Sequence, residues 1–280
     1  MPTDSHHQPR SARRTPAGSA RKTPSGSARK TRRKKILITG ASSGLGAQLA
    51  RIWAADGREL ALCARRLPEL ERLRDELIAA HPGCSIHLYQ VDVNDAAATA
   101  EAIGRAVDDL GGLDRVVAGA GIGLGARVGS GHADLNRQTL TTNVIGTLNT
   151  VEPAIQHFWQ QQSGHLVIIS SMAALRGLGG PMAAYSSSKA AIATLGESLR
   201  SSLANRPITV STMYPGYIDT ALNLEDPNKK WSVPLEAGAA ALAEAIEAEP
   251  AKAYVPRRPW AYLAPIMRVA PLPVFRRIAG

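Results

Sequence analysis

The sequence predicts an α/β fold: a doubly wound parallel sheet of about seven strands, with helices on both faces, in a single domain. Three observations predict it. Short apolar runs alternate with helical stretches from Lys35 onward, and strand–helix repetition of this kind demands a parallel sheet covered on both faces. A glycine cluster stands between the first run and the first helix, where a doubly wound sheet places its phosphate-binding turn. The 280 residues suit one large domain, and no run approaches the ~18 apolar residues of a membrane span.

The chain opens with a segment unlike the rest. Residues 1–35 hold eleven of the 33 Lys and Arg residues and one of the 23 acids, so the whole +10 charge lies there and the body is neutral. An eight-residue repeat begins at Ser11, Ser19 and Ser27, and no Leu, Ile, Val, Phe, Trp or Tyr precedes Ile36. Such a segment buries no apolar area to offset its ordering entropy, so residues 1–34 are expected to be a disordered basic tail. It has no apolar stretch for a secretory signal and no amphipathic face for a transit peptide. Three readings stay open: a solvated extension, a sequence-independent contact with nucleic acid or anionic membrane through residues 1–35, or regulation through its Ser and Thr residues.

The body follows in order. Lys35–Thr39 is a buried strand, and Gly40, Ser42, Ser43, Gly44, Leu45 and Gly46 form the turn into a helix ending near Ala55. Glycines before a helix start let backbone N–H groups and the helix dipole meet a pyrophosphate. Glu59–Ala64 is the second strand, and a helix with proline near its start runs from Pro68 to about His81. Ser85–Val91 alternates as a third strand before a helix from Asp95 to Leu110. Leu113–Ala118 is the fourth strand, followed by one long helix from Leu135 to about Gln161. His165–Ile169 is the fifth, leading to a helix from about Met182 to Ala204. Ile208–Met213 is the sixth, Leu235–Ala248 a helix, and Lys252–Val255 the seventh. The arrangement is Rossmann-like. Cys63 and Cys84 offer no disulfide framework and no metal-ligand spacing; both are expected buried and reduced in a cytoplasmic protein.

Two features carry chemistry. An acid after the second strand would bind the 2′-hydroxyl of NAD, whereas Arg65 and Arg66 stand there and favour the 2′-phosphate of NADP. Tyr185 and Lys189 lie four apart on a helix and so share one face. A neighbouring cation favours the phenolate, so Lys189 is expected to lower the tyrosine pKa by about 1–3 units toward the working range of an acid–base group.

These features sit among others: Asp92-Val93 after the third strand, Asn143 in Thr-Asn-Val-Ile-Gly, Ser170-Ser171 after the fifth, and Pro215-Gly216-Tyr217-Ile218-Asp219-Thr220 after the sixth. Together they resemble the short-chain dehydrogenase/reductase family over about residues 35–258. The resemblance implies that Tyr185 exchanges a proton with the substrate oxygen, Lys189 holds the nicotinamide ribose, Ser171 hydrogen-bonds the carbonyl and Asn143 seats a water. It implies that Asp92 and Val93 flank the adenine, that Ile218 and Thr220 anchor the nicotinamide carboxamide, and that Gly121, Pro215 and Gly216 border the cofactor. A homo-oligomer is expected on the same ground.

The chain departs from the family where Gly119-Ala120-Gly121 replaces the usual Asn-Ala-Gly, and an asparagine at 119 is expected to raise stability or cofactor affinity. The loop from Ser171 to Tyr185, with Gly177, Gly179, Gly180 and Pro181, is about one residue longer than usual. Residues 221–232 resemble the family's substrate loop. Residues 259–280 mix large apolar residues with arginines; they form a lid over an apolar pocket, a segment resting on a membrane surface, or packing onto the body or another subunit. The function expected is NADP(H)-dependent hydride transfer between nicotinamide and a small-molecule carbonyl or secondary alcohol of apolar character. The alternatives are a 3-oxoacyl thioester reductase and a non-catalytic binding or regulatory protein.

Overall fold

Seven strands line up in the order β3-β2-β1-β4-β5-β6-β7, every neighbouring pair parallel. The computed structural model describes residues 33–220 and 231–279, the side chains of 276–279 apart. The strands are β1 (Lys35–Thr39), β2 (Glu59–Ala64), β3 (Ile86–Gln90), β4 (Arg115–Ala118), β5 (Gly164–Ile169), β6 (Ile208–Pro215) and β7 (Lys252–Val255). The doubly wound sheet predicted from the alternation is therefore present. Strands buried on both faces need no polar side, which is why they read as continuous apolar runs. In β1, Ile36 and Ile38 point into one core and Leu37 into the other.

The helices supply the two covers. α1 (Gly44–Ala55), α2 (Leu67–Ala80) and α7 (Leu235–Glu247) bury Leu49, Trp53, Leu70, Leu77, Leu242 and Ile246 on the first face. α3 (Ala96–Leu110), α5 (Gly146–Gln161) and α6 (Ala183–Ser202) bury Ile103, Val151, Phe158 and Ile192 on the second. Their limits follow from local chemistry. The Asp95 carboxylate accepts the Ala98 N–H at 3.0 Å at the start of α3, and Gly111 ends it in a left-handed conformation at φ 64°. Pro68 occupies the first turn of α2, where no N–H is needed.

The expected single helix after β4 is interrupted. α4 (Ala133–Leu140) passes through a π-helical turn, Thr141–Ile145, into α5. The widened turn keeps helical backbone on both sides, so residue spacing alone reads as one helix; its effect is to place Asn143 fully buried beside α6.

Contacts at both ends of the body bear on its boundaries. Arg33 pairs with Glu249 at 2.9 Å, and the N–H groups of Lys34 and Lys35 donate to Asp114 at 2.7 and 3.0 Å. Arg33 and Lys34 thus belong to the body; the expectations for residues 1–32 lie outside the described residues. At the other end, α8 (Arg257–Val269) and α9 (Leu272–Ala279) are integral: Trp260 and Ala264 pack with Met172 and Tyr214 in a third cluster, and Phe275 is also buried. Of the two free cysteines, Cys63 is buried and Cys84 only half-buried. No helix among the described residues is long and apolar enough to cross a membrane.

Candidate active site

β1 and β4 are neighbours, but the chain continues outward from them in opposite directions. The loops at their C-terminal ends therefore part, and the crevice between them is the place where a doubly wound sheet takes its ligand. Here the cleft measures about 1590 Å³ and runs from the glycine turn to α8 and α9.

At one end the turn after β1 is tight. Gly40 holds φ +75°, and a Cβ there would lie 2.8 Å from the Ala120 Cα; a Cβ on Gly46 would collide with the Gly40 carbonyl. A side chain at Gly40 would thus push the turn away from the segment after β4, and one at Gly46 would push the start of α1 away from the turn. Arg66 donates from one Nη2 to the Ser42 and Ser43 hydroxyls, each at 3.0 Å. Arg65 faces Asp92 at 3.8 Å, and the Asp92 carboxylate also accepts the Asn94 N–H at 3.0 Å. Val93 is buried and its carbonyl accepts from Asn149 at 2.8 Å. Leu45 lines the same end. Exposed amides at a helix start, close backbone approach and a guanidinium over two hydroxyls are what a pyrophosphate-bearing dinucleotide needs, so the residues present fit one.

Midway, α6 presents Tyr185 and Lys189 to the cleft, as their four-residue spacing predicts. The Lys189 ammonium donates to the Ile169 carbonyl at 3.0 Å and stands 5.8 Å from the Tyr185 ring centroid. The Ser171 hydroxyl lies within reach of the Tyr185 phenol, accepts the Ala173 N–H at 3.1 Å and donates to the Pro215 carbonyl at 3.5 Å. The long loop between Ser171 and Tyr185 leaves the two together. It folds into 3₁₀ turns at Met172–Leu175 and Gly180–Met182, and the Leu178 N–H donates to Ser186.

Asn143 is a brace. Its Oδ1 accepts the Ile122 N–H at 2.8 Å, and its Nδ2 donates to the Ile122 carbonyl and to Ser188 Oγ at 3.0 and 2.9 Å. The segment after β4 is so tied to α6. Gly121 lies between: a Cβ on it would sit 3.2 Å from Asn143 Oδ1 and 3.3 Å from Lys189 Nζ. Pro215 and Gly216 close the floor at the end of β6. Ile218 is buried and bridges to Val233, and the Thr220 methyl comes within 3.9 Å of where a Gly44 Cβ would be. The expected substrate loop falls mostly on residues 221–230, outside the described residues.

The electrostatics correct one expectation. Burial pushes the Tyr185 phenol above its ordinary value, and the hydrogen bond from Ser171, rather than Lys189, opposes the shift. Burial also lowers Lys189 to about 8. A pair spaced along a helix fixes proximity, but the desolvation of both groups depends on everything packed around them.

A second expectation reverses. A Cβ on Gly119 would lie 2.9 Å from the Thr39 carbonyl oxygen, a backbone atom of β1, while the Thr39 hydroxyl already lies 3.2 and 3.3 Å from the Gly119 and Ala120 N–H groups and accepts from both. Threonine from the neighbouring strand here supplies a tie between strands. Gly119→Asn is therefore expected to lower the melting temperature, by several degrees for a loss of about 1–2 kcal/mol, as calorimetry would read; a rise would refute this.

The far end is a wall the sequence left undecided. Met172, Leu178, Trp260, Met267, Leu272 and Phe275 line it. Trp260 lies against Gly216, where a Cβ would collide with the indole. Single-sequence spacing gives no register between β6 and a helix some 40 residues later; the aromatic cluster from Tyr254 to Tyr262 was the available signal.

The sequence profile described as "short chain dehydrogenase" matches residues 34–231. An uncharacterized oxidoreductase of Mycobacterium tuberculosis is 47% identical over 247 residues, 88% of this chain and 98% of the relative. Among solved structures, a short chain dehydrogenase from Burkholderia cenocepacia in complex with NADP superposes with a TM-score of 0.70 at 27% identity, covering 78% of this chain and 94% of that one. The NADPH-dependent 3-quinuclidinone reductase of Rhodotorula rubra gives a TM-score of 0.68 at 26% identity, covering 75% and 83%.

Proposed function

The chain belongs to the short-chain dehydrogenase family, and from that premise we propose that it is an NADP(H)-dependent oxidoreductase interconverting a carbonyl and a secondary alcohol of an uncharged, apolar substrate. The observation that carries this is the convergence of Ser171, Tyr185 and Lys189 between a glycine turn backed by two arginines and an apolar wall. Among the described residues, the charged ones lining the cleft are Arg65, Arg66, Asp92 and Lys189, none of them in that wall, which favours an uncharged substrate. The NADP and NADPH named for the two structural neighbours support the cofactor choice, and Arg65 and Arg66 are its proposed partners for the 2′-phosphate.

When bound, the nicotinamide supplies the hydride. The residues of the chain supply orientation and the proton. Tyr185, raised by burial, is a protonated phenol at neutral pH and so a donor to the substrate oxygen as negative charge develops there. Ser171 lies within hydrogen-bonding reach of the same phenol and steadies that charge from the side. Lys189, fixed by the Ile169 carbonyl, is placed to hold the nicotinamide ribose beside the phenol. Asn143 is proposed as a positioning residue that sets the distance between Gly121 and α6. Its role in seating a water beside Lys189 is part of the same proposal. Residues 1–32 as a separate tail, a cytoplasmic location and a homo-oligomer complete the reading; Leu140, Ile145 and Trp159, exposed along α4–α5, are suited to the last.

The test is NADPH oxidation against a panel of uncharged ketones and aldehydes, with 3-oxoacyl thioesters and charged oxo acids in parallel. Turnover confined to the uncharged set is expected; turnover of none, or equal rates with NADH, would overturn the reading. The pH profile adds a second check. Reduction needs the phenol protonated and Lys189 charged, so kcat/KM should hold at neutral pH and fall about tenfold per unit above the Lys189 value of about 8. Alcohol oxidation needs the phenolate and should instead climb with pH. Because Lys189 is lowered from 10.5 to about 8, the folded chain binds fewer protons than the unfolded one between those values. Its contribution to stability therefore grows as pH rises through that window.

A further inference from the structure

The C-terminal helices that wall the cleft leave a second side exposed among the described residues. Tyr262, Ile266 and Val269, spaced to share one side of α8, are 64%, 53% and 81% exposed, and Leu272 and Val274 follow at 54% and 48%. Exposing five large apolar side chains within thirteen residues is unfavourable in water unless something covers them.

The charge pattern says what covers them. No Asp or Glu occurs after Glu249, whereas Arg257, Arg258 and Arg268 occur on α8, and all three are exposed. A second copy would bring like charges face to face with no carboxylate to pair them. A surface of anionic lipid offers hydrocarbon for the apolar side chains and phosphates for the arginines at once. This side also adjoins the cleft mouth. Leu272 and Met182 line the cleft and are themselves exposed, at 54% and 38%.

We propose that α8 and α9 dock this protein on the surface of an anionic bilayer, and that the mouth rimmed by Leu272 and Met182 takes its apolar carbonyl substrate from the lipid. The second clause rests on the function proposed above; the first does not.

The experiment is co-sedimentation of the full chain with vesicles of phosphatidylcholine, alone and mixed with phosphatidylglycerol. The parent is expected to bind the mixed vesicles more tightly. Ile266→Asp/Val269→Asp, a change of two exposed positions away from the cleft lining, is expected to weaken that binding at least about a hundredfold. The same variant should keep its kcat on a water-soluble carbonyl and lose rate only on a ketone dissolved in the vesicles. Binding by neither vesicle type overturns the proposal. So does unchanged binding by the double variant together with loss in a full-length variant whose Lys and Arg residues between 10 and 32 are glutamine, since the tail would then be the contact. A parent that is dimeric in sedimentation velocity and a double variant that is monomeric would assign the face to self-association instead. Absence of all carbonyl turnover alongside intact vesicle binding would sink the enzymatic reading alone.

Discussion

Tyr185→Phe should lower kcat by about 10²–10⁴-fold, the usual contribution of a positioned proton donor. The change removes one oxygen and keeps the ring that lies 5.8 Å from Lys189 Nζ. Cofactor affinity should therefore stay within a factor of a few. The folded state loses the hydrogen bond with Ser171, about 1 kcal/mol, so the melting temperature should shift by only a few degrees. Burst and steady-state kinetics in the reduction direction would measure the loss. A variant that turns over as fast as the parent would remove Tyr185 from the chemistry. Loss of rate together with a large fall in melting temperature would mean a structural role only.

The double change Arg65→Ala/Arg66→Ala should cut the preference for NADPH over NADH by about 10²–10⁴-fold. Each charge-assisted contact with a phosphate is worth about 1.5–3 kcal/mol, or roughly ten- to a hundredfold. Both side chains are near the surface and neither supports the core: Arg66 reaches the hydroxyls of Ser42 and Ser43, and Arg65 faces Asp92 across 3.8 Å. The NADH rate should consequently change little or rise, since Asp92 loses its partner and becomes available to a ribose hydroxyl. The ratio of kcat/KM values for the two cofactors is the measurement. An unchanged ratio would show that the arginines are solvated loop residues. An equal fall with both cofactors would show that they shape the turn.

Parts of this site were readable from residue order because their geometry is local. Tyr185 and Lys189 share a face because four residues make about one helical turn. The glycine turn is legible because only a missing Cβ allows Gly46 to meet the Gly40 carbonyl. β5 is legible because both its faces are buried, so Leu166 to Ile169 form an unbroken apolar run. Asn143 was found by resemblance, but its brace to Ile122 was not, because the π turn that aims it leaves the helical spacing looking regular.

The sequence by itself determined the winding of the sheet, the cradle after β1, the arginines after β2 and the meeting of a phenol with an amine, since each follows from the spacing of neighbouring residues. Tertiary structure alone decided the protonation balance of that pair, because desolvation sums over everything packed around the two groups, which no short window contains. It also decided that Trp260 closes against Gly216 and that Thr39 takes the hydrogen bonds beside Gly119. Those contacts join segments about 40 and 80 residues apart, and only the packed sheet sets their distance.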